Sequence, residues 1–243
     1  MKSRPITLGI LGGGQLGRMS ALAAARLGIK VHIYTYDEGR PASQVAAKTF
    51  VGKYDDKKKL KKFAESVDFA SYEFENIPVE TVRYIREFRP VYPDCRLLEV
   101  SQNRISEKKY LNDIGIHTAK WAPVRSAEDI GRAVKVIGGD RFILKTARLG
   151  YDGKGQLVHR RKDDPARSWS ELNAGELILE EAVDFDCEVS VIIARDMHGK
   201  SALYGPVLNE HKHHILSRSV IPAPISARTA GRALDAAHLL ADS

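Results

Sequence analysis

Cysteine is almost missing from this 243-residue chain, which holds only Cys95 and Cys187. They lie far apart, without a Cys-x-x-Cys spacing and without a histidine nearby at metal-ligand spacing. A disulfide framework and a zinc site are therefore not expected, and a reducing compartment is. Long apolar runs are lacking too. No stretch is long enough to cross a bilayer, and Met1-Lys2-Ser3-Arg4-Pro5 runs straight into a short apolar strand with no signal-type hydrophobic region. The expectation is a cytoplasmic protein with no membrane partner. Nor is there an internal repeat or, beyond one lysine-rich patch, a low-complexity segment.

What is present is ordinary in amount. Apolar residues make up 43% and charged residues 28%, enough to build two modest domains or one large one. Lysine and arginine number 38 against 31 acidic residues, a formal charge of +7. That balance suits an anionic ligand without separating nucleic acid from a nucleotide or a phosphate ester. The patch Lys57-Lys58-Lys59, with Lys61 and Lys62, has no interleaved aromatics. It reads as the solvated face of a helix, so no nucleic-acid partner is expected.

The first third alternates strand and helix patterns. Residues 6–11 and 31–34 are short apolar strands. Between them Leu16, Met19, Leu22, Ala23 and Leu27 recur at helical spacing, with Gly28 as the stop. Residues 57–63 and 79–88 read as helices, the second with Pro78 in its first turn, and 69–74 as a strand. This rhythm implies a doubly wound parallel sheet with helices on both faces. Pro93 interrupts the pattern, placing the domain boundary after residue 94 and giving domains 1–94 and 95–243. In the second, 102–111, 127–136 and 228–240 read as helices, and 141–146, 177–181, 188–194 and 202–207 as strands.

Two constellations carry chemistry. Gly12-x-Gly14-x-x-Gly17 stands between a strand and a helix, where glycines let backbone N–H groups approach a phosphate. Asp37, just past the second strand, fits the ribose acceptor of a dinucleotide-binding protein. A plain strand-to-helix turn explains the same glycines. The second constellation begins with Lys145, which closes the strand Phe142-Ile143-Leu144 and can be held rigidly beside phosphate oxygens. Five residues later, Gly150 to Gln156 contains three glycines able to fold over a triphosphate. Leu177-Ile178-Leu179-Glu180-Glu181 offers an edge for adenine, and Glu188 a carboxylate for ribose hydroxyls. Taken singly, these are also a surface lysine, a hairpin and solvated strand ends. Their joint order favours a nucleotide.

In that order the resemblance becomes specific. Gly12-Gly13-Gly14-Gln15-Leu16-Gly17-Arg18-Met19 and Tyr72-Glu73-Phe74-Glu75-Asn76-Ile77 resemble the 5-(carboxyamino)imidazole ribonucleotide synthases, ATP-grasp enzymes of purine biosynthesis. Gln102-Asn103-Arg104 with Glu107-Lys108 is similar to the start of their ATP-grasp domain. Gly150-Tyr151-Asp152-Gly153-Lys154-Gly155-Gln156 is similar to their phosphate loop, and Asn209-Glu210-His211 to a later histidine-bearing loop. The resemblance implies an α/β fold, with a pre-ATP-grasp doubly wound domain followed by an ATP-grasp α+β domain. It implies ATP and magnesium as cofactors, and carboxylation of aminoimidazole ribonucleotide with bicarbonate through carboxyphosphate. Arg104, Lys145, Gly150, Tyr151, Asp152, Gly153, Lys154, Gly155, Gln156, Glu180, Glu181, Ala182, Val183, Glu188 and His211 would contact ATP. Glu73, Tyr151 and Lys154 would carry the chemistry toward bicarbonate and substrate, and Gly14, Gln15 and Leu16 would line the substrate side. A homodimer is compatible with the family.

The family's metal-binding carboxylates have no counterpart after His211. No metal ligand is therefore expected within this chain, and the resemblance places the family's ligands beyond Ser243. By the same comparison the ATP-grasp domain is expected to be incomplete, leaving the strands at 177–181 and 188–194 short of cover and the isolated chain without turnover. His211, His213 and His214 crowd one loop, but no acidic or cysteine partner stands at ligand spacing, and a nucleotide contact by His211 is the better reading. Another ATP-grasp ligase, a dinucleotide oxidoreductase and a non-catalytic nucleotide-binding protein are the alternatives.

Overall fold

A computed structural model describes residues 5–150, 154–213 and 215–243, in two compact units, 1–102 and 103–243. The first unit runs β1 (Thr7–Leu11), α1 (Gln15–Arg26), β2 (Lys30–Thr35), β3 (Lys48–Val51), α2 (Lys57–Glu65), β4 (Phe69–Tyr72), α3 (Val79–Arg86) and α4 (Cys95–Ser101). Its four strands are parallel, in the order β3-β2-β1-β4. Strand alternation sends Ile10 and Ile33 to one face, where they pack with Ala21 and Ala24 of α1. Leu11 and Tyr34 go to the other, with Leu60 and Phe63 of α2 and Val82 and Ile85 of α3. The helices thus cover both faces, as the βαβ rhythm implies.

Two local details differ from the sequence reading. On α1 the buried residues are Gly17, Ala21 and Ala24, while Leu16, Met19 and Leu22, and Leu27 at its C-cap, are exposed. Small side chains let the helix lie close on the sheet, so the larger apolar stripe faces away. Second, Leu98 of α4 is fully buried in the first unit's core, so the units divide after Gln102, whereas the sequence reading divides the chain after residue 94. On α2 the lysines stay on their own unit: Lys57 lies over the Tyr84 ring and Lys61 over Phe88, each 5.4 Å from the centroid.

The second unit contains α5 (Arg104–Asp113), β5 (Trp121–Val124), α6 (Ala127–Ile137), β6 (Arg141–Thr146), β7 (Gln156–Arg160), α7 (Pro165–Leu172), β8 (Leu177–Glu181), β9 (Glu188–Arg195), β10 (Ser201–Lys212), β11 (Ile215–Val220) and α8 (Ala227–Asp242). One antiparallel sheet has the order β5-β8-β6-β7 and a second the order β11-β10-β9. Phe142, Leu144, Leu177 and Leu179 point to one face of the first and pack with Ile130, Val134 and Ile137 of α6. Strand 177–181 is therefore not short of cover: Leu177, Ile178 and Leu179 are each fully buried, because β8 lies between β5 and β6. The β9–β11 sheet is thinner. Among its described residues only Val207 is buried, and Ile192 is 63% exposed. Among the described residues no helix is long and apolar enough to cross a membrane.

Candidate functional site: a lysine–glutamate cluster beside a glycine-rich turn

In the first unit the chain leaves β1 through Gly12, whose φ is +113°, and starts α1 at Gln15. Gly14, at the helix N-cap, has no side chain with which to cap. Glu73, just after β4, does this from a distance. Its Oε1 accepts from Gly14 N–H at 2.8 Å, and its Oε2 accepts from Gly17 N–H. A Cβ on Gly17 would come within 2.7 Å of that carboxylate, and one on Gly14 within 3.0 Å. The glycines make room for an internal anion at the helix N-terminus, where a carboxylate is favoured. Gln15 and Leu16 stand exposed at the start of the helix. Asp37 is held by Arg40 at 2.6 Å, so the candidate ribose acceptor already has a cationic partner. With amide donors and acceptor both engaged, NAD should not bind at useful affinity. Saturable micromolar NAD binding that is abolished by Gly14→Val would overturn this.

In the second unit the sheet register builds the site. Ile143 pairs with Glu180, and Lys145 with Ile178. Residues two apart share a face, so Lys145 and Glu180 project on the side opposite the Phe142–Leu144 core. Lys145 Nζ lies 2.9 Å from Glu180 Oε2. Lys108, one turn along α5 from Arg104, places its Nζ 3.4 Å from Glu180 Oε1. Burial pushes the neighbouring Glu107 carboxyl above the usual carboxylate range, against the opposing pull of Arg104 and Lys108.

Arg104 binds the turn that follows β6. Its guanidinium donates to the carbonyls of Thr146 at 2.9 Å, Leu149 at 2.5 Å and Gly150 at 3.0 Å. Gly150 and Gly155 both have positive φ, and Thr146 N–H donates to Gly155 O at 2.8 Å. A Cβ on Gly150 would lie 2.8 Å from the Lys154 carbonyl, so glycine is needed where the two strands of this hairpin close. Gly150 and Gly155 thus sit where β6 and β7 come together. Lys154 is exposed, and Gln156 opens β7 opposite Lys145. Tyr151, Asp152 and Gly153, and His214 of the later loop, lie outside the described residues.

Past Glu180, Glu181 N–H donates to Lys120 O at 2.8 Å and Ala182 N–H to Arg141 O at 3.1 Å, while Val183 is exposed. Glu188 and His211 meet in the other sheet. Asn209 pairs with Glu188, which puts His211 on the same face, with its Nδ1 2.9 Å from Glu188 Oε2. They line a recess of about 580 Å³ with Phe185, Cys187 and Asn209. Ser243 is not itself a metal-ligand candidate. It follows α8, where its hydroxyl accepts from Tyr110 Oη at 2.8 Å and donates to Leu240 O at 2.9 Å. The Glu107-Lys108 motif alone implies no role for Lys108. The i,i+4 spacing from Arg104 was the available signal.

A family model described as an ATP-grasp domain matches residues 109–243, and one described as a ribonucleotide synthetase preATP-grasp domain matches residues 6–102. The chain belongs to the ATP-grasp family. It is 45% identical over 236 residues to the N5-carboxyaminoimidazole ribonucleotide synthase of Brucella melitensis, covering 96% of this chain and 65% of that protein. The Bacillus subtilis protein of the same name is 34% identical, with 97% of this chain and 62% of the relative covered. A solved ADP complex of an N5-carboxyaminoimidazole ribonucleotide synthetase matches at TM-score 0.92 and 37% identity, over 98% of this chain and 63% of that one. The Staphylococcus aureus N5-carboxyaminoimidazole synthetase complexed with ADP matches at TM-score 0.89 and 31% identity, over 97% and 62%. The chain spans a little under two thirds of the length of these relatives.

Proposed function

We propose that this chain binds ATP through its second unit and serves the ATP-dependent carboxylation of 5-aminoimidazole ribonucleotide by bicarbonate, through carboxyphosphate, in purine biosynthesis. The observation that carries the reading is the Lys145 ammonium, fixed on β6 by a buried carboxylate and followed by a glycine-rich turn. A triphosphate brings several negative charges into the site. A preorganised ammonium and backbone N–H groups stabilise that charge without reorganising during the reaction. Arg104, whose donors hold the carbonyls at the base of the turn, sets the turn's position. The stretch Glu180 to Val183 is assigned to adenine, and Glu188, paired with His211, to the ribose hydroxyls.

Lys154 and Tyr151 are assigned to bicarbonate, with Lys154 offering positive charge to an anionic reactant. In the first unit Gln15 and Leu16 are assigned to the substrate side. Both Glu73 oxygens are engaged by loop amides, which supports a role in holding that loop over one in proton transfer. Magnesium enters with the nucleotide. Among the described residues no group of three or more His, Cys, Asp or Glu side chains is arranged to hold a metal ion, and no residue up to Ser243 is assigned to it.

The test is coupled ADP release by the protein carrying this chain. Release should require aminoimidazole ribonucleotide, bicarbonate and magnesium-ATP together. Release with a different acceptor would move the protein to another ATP-grasp reaction, and ATP binding with no turnover would leave it a nucleotide-binding module.

A further inference from the structure

Glu180 is 6% exposed and is the only buried carboxylate among the described residues. Its two oxygens take two different lysines. Lys145 reaches Oε2 from the strand beside it, and Lys108 reaches Oε1 from α5. Neither is a loose surface pair, since the lysine side chains are 26% and 18% exposed. A desolvated carboxylate is tolerated only while a cation stays with it.

The nucleotide reading asks Lys145 to give its ammonium to phosphate oxygens. If Lys145 were the sole partner of Glu180, that move would strand a buried negative charge close to an incoming polyanion. Glu107, the other carboxylate facing this cluster, adds to the same difficulty, while Arg104 is occupied with the carbonyls of the turn. Lys108 remains as the cation able to stay on Glu180. We propose that Lys108 is a positioning residue of the nucleotide site, holding Glu180 so that Lys145 is free to engage phosphate. The proposal rests on the nucleotide reading above and requires no contact between Lys108 and the nucleotide itself.

Titration calorimetry of the protein carrying this chain tests it, with magnesium-ATP and with adenosine, which carries no phosphate. Lys108→Met should weaken ATP by about tenfold, within the range of coupling between groups in one network, and leave adenosine within about twofold. Lys108→Arg should restore most of the loss. In a Glu180→Gln background, which removes the buried charge, Lys108→Met should change ATP affinity by less than about twofold. Equal losses for ATP and adenosine would mean a general structural role and overturn the proposal. A tenfold loss that persists in the Glu180→Gln background would mean direct phosphate contact and also overturn it. If the parent protein binds ATP and Lys108→Met binds it equally well, this proposal alone fails. If the parent protein does not bind ATP, the nucleotide reading fails and takes the proposal with it.

Discussion

Lys145→Ala weakens ATP binding by roughly 1.5–3 kcal/mol, the usual range for a hydrogen bond to a charged group, or about 10- to 150-fold in affinity. The expectation rests on position. Lys145 sits at the end of β6, clamped between β7 and β8, so its ammonium pays little ordering entropy when phosphate arrives. Its stem lies on the face opposite the Phe142–Leu144 core, so truncation opens no cavity there. Glu180 keeps Lys108 as a partner in the variant, and the fold should survive. Calorimetry is the measurement, with thermal unfolding as the control. Equal affinity in variant and parent would remove Lys145 from the site.

Glu73→Ala lowers the stability of the first unit by about 2 kcal/mol, since it deletes two charge-assisted hydrogen bonds and leaves their amide donors without that acceptor. It also removes a negative charge from the N-terminus of α1, where the helix dipole favours one. Glu73→Gln should fall between parent and alanine. An amide offers one acceptor oxygen, and its nitrogen would face an N–H donor. Urea unfolding at neutral pH, compared at constant m-value, reads the effect. A parent-like midpoint for Glu73→Ala would show that the loop does not depend on the carboxylate.

Much of the fold was legible because its elements are locally patterned. The run 141–146 alternates Phe142 and Leu144 against Ile143 and Lys145, which reads as a strand with one core face. The parts that were not legible are short or ambiguous. In β5, Trp121-Ala-Pro-Val, Pro123 argues against a strand, and it is tolerated because β5 is a sheet edge. The helix read at 102–111 is α5 (Arg104–Asp113), and the short α4 before it was not read. α4 ends at Ser101 and α5 starts at Arg104, with the Asn103 side chain accepting from Ile105 N–H at 2.8 Å as the new cap. On α1, periodicity marked an apolar stripe but not which side meets the sheet.

By itself the sequence determined which residues could serve: glycines at 12, 14 and 17 and again at 150, 153 and 155, a lysine at the end of an apolar strand, and two acidic positions further on. These follow from local rules, since side-chain volume, backbone freedom and strand alternation act between near neighbours. Only the tertiary structure decided how the charges are partnered. Glu73 reaches Gly14 across 59 residues, and Glu180 lies 35 residues from Lys145 and further still from Lys108. Such pairings depend on sheet register and on where a helix lands, and those are settled by burying the two cores rather than by the residues that flank each charge.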